Sequence, residues 1–320
     1  MLYDAILIVS FGGPERPEDV MPFLENVLRG RNVPRERLLE VAGHYRHFEG
    51  VSPINQQCRD LIGALGERVA LPIYWGNRNW HPMLPDTVRQ MAGDGVRRAL
   101  AIATSAYSSY SGCRQYIENI EAARAAAGPE APVIDKLPPF WWHPGFAAAN
   151  AGRVSAALGA IPHPRRAAAR LVFTAHSIPL SMAANCRYQE QLIETARKVS
   201  ALAGHDQWDL VWQSRSGPPT QPWLEPDILD HLRTLAGNGV RDVVVSPLGF
   251  TSDHMEVMYD LDHEAAALCR ELGLNFVRAQ TAGTHPDFIA MLADLIGQCQ
   301  SAAEPARCAD GCCPAPKRVA

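Results

Sequence analysis

DGVRRALAIATS (94–105) and NGVRDVVVSPLG (238–249) decide the fold, because each carries a turn and an arginine into a short apolar run at the same place in a longer repeat. The first run of each half ends in a turn rich in polar groups (SFGGPE, 10–15; TAHSIP, 174–179). The second leads to an arginine (YWGNR, 74–78; WQSRSG, 212–217), and the third follows Gly-Val-Arg. Three correspondences in one order read as an internal duplication. The runs are AILIVSF (5–11), PIYW (72–75), ALAIATS (99–105), RLVFTA (170–175), DLVWQS (209–214) and DVVVSPL (242–248). They are rich in β-branched residues and alternate with longer segments of helical period. That alternation predicts an α/β chain of two similar, doubly wound, Rossmann-like domains, each with a parallel sheet flanked by helices.

The proline- and aromatic-rich segment APVIDKLPPFWWHPGF (131–146) interrupts the pattern and reads as the crossover between the halves. The expected domains are therefore 1–145 and 146–300, followed by a cysteine-bearing tail at 301–320. In open α/β sheets a ligand sits outside the carboxyl ends of the strands, so the functional cleft should be lined by the segments that follow the runs.

Composition narrows the class. With 47% hydrophobic and 20% charged residues the chain is that of a folded globular protein, and a net charge of −4 gives no reason to expect nucleic acid. Residues 1–12 carry Asp4 in place of a basic stretch and show no cleavage pattern, and no apolar run is long enough to span a bilayer. The expectation is a cytoplasmic protein without a transmembrane segment; peripheral membrane contact and oligomeric state stay open. Five of the eight cysteines are scattered and three crowd the tail, which in a cytosolic chain argues for thiols or metal ligands over structural disulfides.

His176 directly follows a strand and should project into the cleft, although a single strand-end histidine can equally do no more than cap a backbone group. In FTSDHMEVMYDLDHE (250–264), Asp253, Glu256, Asp260 and His263 or Glu264 fall at steps of three and four, giving an acidic stripe on one helix face. Most such runs are solvated faces. Here no lysine or arginine between 250 and 264 relieves the like charges, and uncompensated carboxylates bind cations or trade protons. FGGPER (11–16) lacks the third glycine of a dinucleotide fingerprint and no GxxxxGK[ST] occurs; His176-Ser177 is no GxSxG elbow, and His263-Glu264 lacks the second histidine of HExxH.

FTAHSIP (173–179), VWQSRSGPPTQPWLEPD (211–227) and SPLGFTSDHMEVMYDLDHE (246–264) resemble the signature blocks of the ferrochelatases, which insert ferrous iron into a porphyrin. The resemblance runs on through SFGGPE, FLENVLRGR (23–31), HYRHFEGVSPI (44–54), WGNRNWHP (75–82) and SAYSSYSGC (105–113), covering nearly the whole chain in order. It implies a porphyrin between two Rossmann-like domains, with His176 and Glu256 as the catalytic pair contacting the substrate Fe2+, and Asp253 and Asp260 relaying protons or metal. It further implies Arg29, Arg31, Tyr45 and Ser52 on the propionate side, where arginine suits carboxylate geometry. Tyr107, Trp223 and Phe250 would be aromatic walls. One departure stands out: some branches place a tyrosine or methionine where this chain has Phe11, which cannot coordinate iron.

Some ferrochelatases hold a [2Fe-2S] cluster with one cysteine in the block matching SYSGC and three near the C-terminus. The resemblance therefore implies a cluster on Cys113, Cys308, Cys312 and Cys313, with the tail docked on the first domain. The alternative is a tail of free thiols. Two rival activities remain at this stage: a chelatase for cobalt or another tetrapyrrole, and a non-catalytic haem or iron carrier. Protoporphyrin IX and coproporphyrin III are not distinguished.

Overall fold

Eight strands form two four-stranded sheets. In the computed structural model, which describes residues 2–30, 33–217, 220–305, 307–308 and 311–315, the first sheet holds β1 (Ala5–Ser10), β2 (Ile73–Asn77), β3 (Arg98–Ala103) and β4 (Val133–Lys136). The second holds β5 (Arg170–His176), β6 (Trp208–Gln213), β7 (Asp242–Ser246) and β8 (Asn275–Arg278). Their orders, β2-β1-β3-β4 and β6-β5-β7-β8, are the same topology twice, and every pairing is parallel. β1 is buried at all six positions and β7 at all five, as strands covered on both faces by helices must be. The repeat legible in the sequence is thus a repeat of architecture.

Two strands lie outside the six runs read from the sequence. β4 falls inside the segment expected to be the crossover, which corrects that reading, and β8 follows the acidic segment. Both are four-residue edge strands of mixed polarity, VIDK and NFVR, with solvent on one side. An edge strand needs only half the apolar pattern of a central one and so leaves little trace in the sequence. Their partners supply charge: Arg98 pairs with Asp135 at 2.7 Å, and Asn275 donates to Asp242 at 2.7 Å.

Two helices weld the sheets together. Helix Pro144–Gly159 puts Phe146 and Ala149 into the core that contains Ile6, Ile8 and Leu100 of the first sheet. Its Ala147, Ala151 and Val154 enter the core containing Leu171, Phe173 and Val244 of the second. Helix Pro286–Ser301 comes last in the second half, yet it packs Phe288, Leu292, Leu295 and Ile296 with Leu61 and Leu65 of the first. Gln300 fastens it there, accepting from Tyr3 N at 2.8 Å and donating to Tyr3 O at 2.9 Å.

The strand ends of the halves meet across the cleft floor. Thr251 Oγ1 donates to Thr104 O at 2.9 Å, and the Gln191 side chain bonds both Ser108 N and Ser108 Oγ. The turn after β7 runs so close to β5 that a Cβ on Gly249 would lie 2.4 Å from Ala175 Cβ, so only glycine fits beside the residue preceding His176. Among the described residues no helix is long and apolar enough to cross a membrane.

Candidate active site

His176 ends β5, where its ring leaves the sheet at the carboxyl edge. Its Nδ1 lies 2.5 Å from Ser177 O. A carbonyl only accepts, so Nδ1 carries the proton and Nε2 is the atom left for chemistry. Nε2 points at Glu256 Oε2, 3.6 Å away, and both side chains keep solvent access. The loop behind the imidazole is braced on three sides. Tyr188 Oη donates to His176 O, Ser177 N donates to Gln213 O at 2.8 Å, and Ser177 Oγ donates to Leu224 O at 2.9 Å.

Glu256 lies in a single α-turn, Met255–Val257, that opens into the π-helix Met258–Ala265. A π-helix adds a residue to each turn, so steps of three and four do not keep one face through it, and such segments gather at functional sites. Asp260 is half-buried. Ser214 Oγ and Gln213 Nε2 both donate to its Oδ2, the latter at 3.1 Å. Burial first, then the charges of Glu256 and Glu264, push its carboxyl up to about 7 against those two donors. It therefore takes and releases a proton near neutrality.

Asp253 has a different environment. Arg278 at the end of β8 reaches it at 2.8 Å and Asp262 at 2.6 Å, and Gln57 Oε1 accepts from Asp253 N at 2.8 Å. The acidic stripe, uncompensated within its own segment, thus receives a cation from a strand the sequence reading did not find. His254 was passed over as well. Burial pushes its imidazole below the ordinary histidine range, and its ring packs edge-on against Phe250 at 5.2 Å.

The expected porphyrin contacts divide. Tyr45 is buried among Phe23, Leu24 and Met255, and burial followed by the charge of Glu256 pushes its phenol well above the usual range, so it stays neutral. Ser52 is buried beneath the glycine turn, its N donating to Pro14 O at 2.8 Å. Arg29 is exposed just past helix Val20–Val27, and Arg31 lies outside the described residues. Trp223 packs its ring over Gly217, where a Cβ would come within 2.4 Å, and bridges to Pro179 beside the catalytic loop. Its Nε1 is buried without a partner. Phe250 is partly buried against the second core. Tyr107 is a correction: it is 2% exposed, packs on Phe146 and Tyr188 and donates to Leu248 O, so it is a core residue and not a cleft wall. Phe11 is partly exposed, edge-on to Phe23, with the Arg78 guanidinium 5.7 Å over its ring.

Opposite Glu256, helix Arg35–Arg46 stacks the His44 ring flat on Tyr259 at 3.8 Å, and His47 meets His263 at 4.1 Å. These contacts close one side of the cleft.

The tail returns to the first sheet. Cys113, buried in the π-turn Tyr110–Arg114, has Lys136 Nζ at 3.5 Å. A hydrogen bond from the Cys308 thiol, with help from Lys136, pulls it below the usual thiol range against its burial. Burial and the neighbouring thiols push Cys313 up to about 12. With Cys312 beside Cys308 and Cys313, four thiols lie near one another, although no three His, Cys, Asp or Glu side chains among the described residues are arranged to hold a metal ion.

A profile of the ferrochelatase family matches residues 3–299. The chain belongs to the ferrochelatase family. It is therefore an enzyme of porphyrin metal insertion, which removes the carrier reading. It is 57% identical to a ferrochelatase of Rhodopirellula baltica over 92% of this chain and 85% of that one. To a coproporphyrin III ferrochelatase of Nocardia farcinica it is 52% identical, over 99% and 98%. To another so named, of Mycolicibacterium smegmatis, it is 54% identical over 93% and 90%. Among solved structures, SirB from Bacillus subtilis with Fe3+ superposes with a TM-score of 0.59 at 13% identity, covering 92% of this chain and 94% of that one. At that identity the likeness concerns the fold, and it agrees with the two parallel sheets.

Proposed function

We propose that the enzyme inserts Fe2+ into coproporphyrin III, with His176 as the base that takes the pyrrole protons and Glu256 and Asp260 as the path by which they leave. The observation that carries this reading is the 3.6 Å approach of His176 Nε2 to Glu256 Oε2 at the carboxyl edge of the second sheet. Metal insertion releases two protons and needs a flat macrocycle bent so that its nitrogen lone pairs meet the ion. With Nδ1 held by Ser177 O, a neutral His176 presents the Nε2 lone pair as a proton acceptor. The resulting imidazolium is stabilised by Glu256, and Asp260, poised near neutrality, passes the proton onward. Glu256 and His176 also supply donors to the incoming iron. Asp253, neutralised by Arg278, is assigned to anchoring this segment.

Coproporphyrin III over protoporphyrin IX is supported by the names of the relatives at 52% and 54% identity. Its four carboxylates suit arginines such as Arg29 and Arg31; Trp223 and Phe250 would bear on the ring plane. The [2Fe-2S] reading is supported by the donor set, four cysteines drawn together on the first sheet with Lys136 beside Cys113. The thiols would still have to close up to ligate. Bound there, a cluster would supply cross-linking of the tail to the π-turn, and no step of metal insertion passes through it. Absorption and iron and sulfide content of anaerobically purified protein test it; their absence, with unchanged stability in Cys312→Ser, would remove it.

The activity is tested by anaerobic turnover, adding Fe2+ to excess porphyrin and following the loss of porphyrin fluorescence. Multiple turnovers with coproporphyrin III are expected, and His176→Ala should lose about 10²–10⁴-fold, the usual contribution of a positioned general base. Equal rates in the two proteins would refute the role of His176, and faster turnover of protoporphyrin IX would reassign the substrate.

A further inference from the structure

Gln213 ends β6 and pairs in register with His176. Its side chain is buried, 1% of the residue being exposed. Nε2 donates to Asp260 Oδ2 at 3.1 Å, while Oε1 is buried with no hydrogen-bond partner. A buried acceptor without a donor is costly, and its presence in an active site asks for an explanation. Among the described residues, the Ser214 hydroxyl donates to the same Asp260 oxygen, the charges of Glu256 and Glu264 act on it from the π-helix side, and Tyr259 adds its phenol. Across the cleft His176 faces Glu256.

We propose that Gln213 is a positioning residue that serves Asp260 in both of its protonation states: its N–H holds the carboxylate, and when a proton arrives the amide turns so that Oε1 accepts the new O–H. The terminal torsion of glutamine is broad and two-fold, so the turn needs no backbone movement. Whichever way the amide faces, one of its two polar atoms pairs with Asp260, and the proton decides which. The orphan Oε1 is then the empty half of a two-position switch. Its satisfaction by the arriving proton favours uptake, and the waiting N–H favours release. The proton is conserved throughout: it leaves His176 or Glu256, resides on Asp260 and departs from it. This rests on the relay proposed above.

The test combines a measurement independent of activity with one dependent on it. In 15N-edited NMR the Gln213 side-chain amide, assigned by its loss in Gln213→Met, should titrate with the same midpoint as the Asp260 13C carboxyl signal, and Asp260→Asn should abolish that titration. In Gln213→Met the carboxylate loses a charge-assisted donor while the acid loses a weaker neutral acceptor, so the Asp260 midpoint should rise by on the order of one pH unit. The acid limb of the kcat profile should move with it, KM for porphyrin staying unchanged. Gln213→Glu should raise the midpoint further, two carboxyls then sharing one proton. A Gln213 amide that ignores the Asp260 titration, or a midpoint unmoved in Gln213→Met while kcat falls equally at every pH, would overturn the proposal and leave Gln213 as packing. Absence of turnover in the wild type would count against the proposed function alone, since the NMR titration reads Gln213 without it.

Discussion

Burial and the charge of Glu256 push the Asp260 carboxyl up to about 7, well above the ordinary carboxylate range, and that displacement bears on stability as well as on proton transfer. A carboxyl raised in the folded state binds its proton more tightly there than in the unfolded chain. Its contribution to stability is complete below about pH 4, declines as pH rises toward 7 and is absent above that. Asp260→Asn, which cannot titrate, should therefore flatten this part of the stability profile between pH 4 and 7, measured by urea unfolding at fixed ionic strength. A decline as steep as in the wild type would show that another group is responsible. Because the charge of Glu256 is among the causes holding Asp260 up, Glu256→Gln should lower the Asp260 midpoint in the 13C titration, and turnover should fall with it. The sequence displayed His176, Glu256 and Asp260 as candidates because strand-end position and local charge spacing are one-dimensional properties. It did not display Gln213 and Ser214 as the partners of Asp260, or Arg278 as the partner of Asp253, since these arrive from the ends of β6 and β8 across the fold.

At the scale of elements, the site depends on how closely the turn after β7 lies against β5. Gly249→Ala would set a Cβ 2.4 Å from Ala175 Cβ, next to His176. Overpacking of this kind costs about 1–3 kcal/mol. The variant should melt earlier and lose turnover, and Gly237→Ala, where a Cβ meets nothing within 4 Å on an ordinary backbone, is its control. Equal loss in the two variants would mean that the close approach is unimportant. The central strands were legible because burial on both faces makes a continuous apolar run. The edge strands β4 and β8 were not, and the π-helix Met258–Ala265 was read with ordinary helical spacing because its hydrogen-bond shift leaves no mark in residue order.

Across the whole molecule, the two halves share a core. Leu292 is 1% exposed on the last helix, against the first sheet's side of the structure. Leu292→Ala should cost about 2–5 kcal/mol, as large-to-small core changes do. It should also lower the stability of both sheets in one transition, because helix Pro144–Gly159 belongs to both cores. Hydrogen exchange that reports loss confined to one sheet would show that the halves unfold independently.

By itself the sequence determined the duplicated βαβ order, the family and the positions of His176, Glu256 and Asp260, because strand burial and motif spacing are written along the chain. Tertiary structure alone decided that Tyr107 is core, that Asp253 is neutralised by Arg278 and that the last helix packs on the first sheet. It also decided that Gln213 stands over Asp260 with an acceptor unfilled. Each of those outcomes depends on which distant segment comes to lie against a residue, and packing in three dimensions selects that partner.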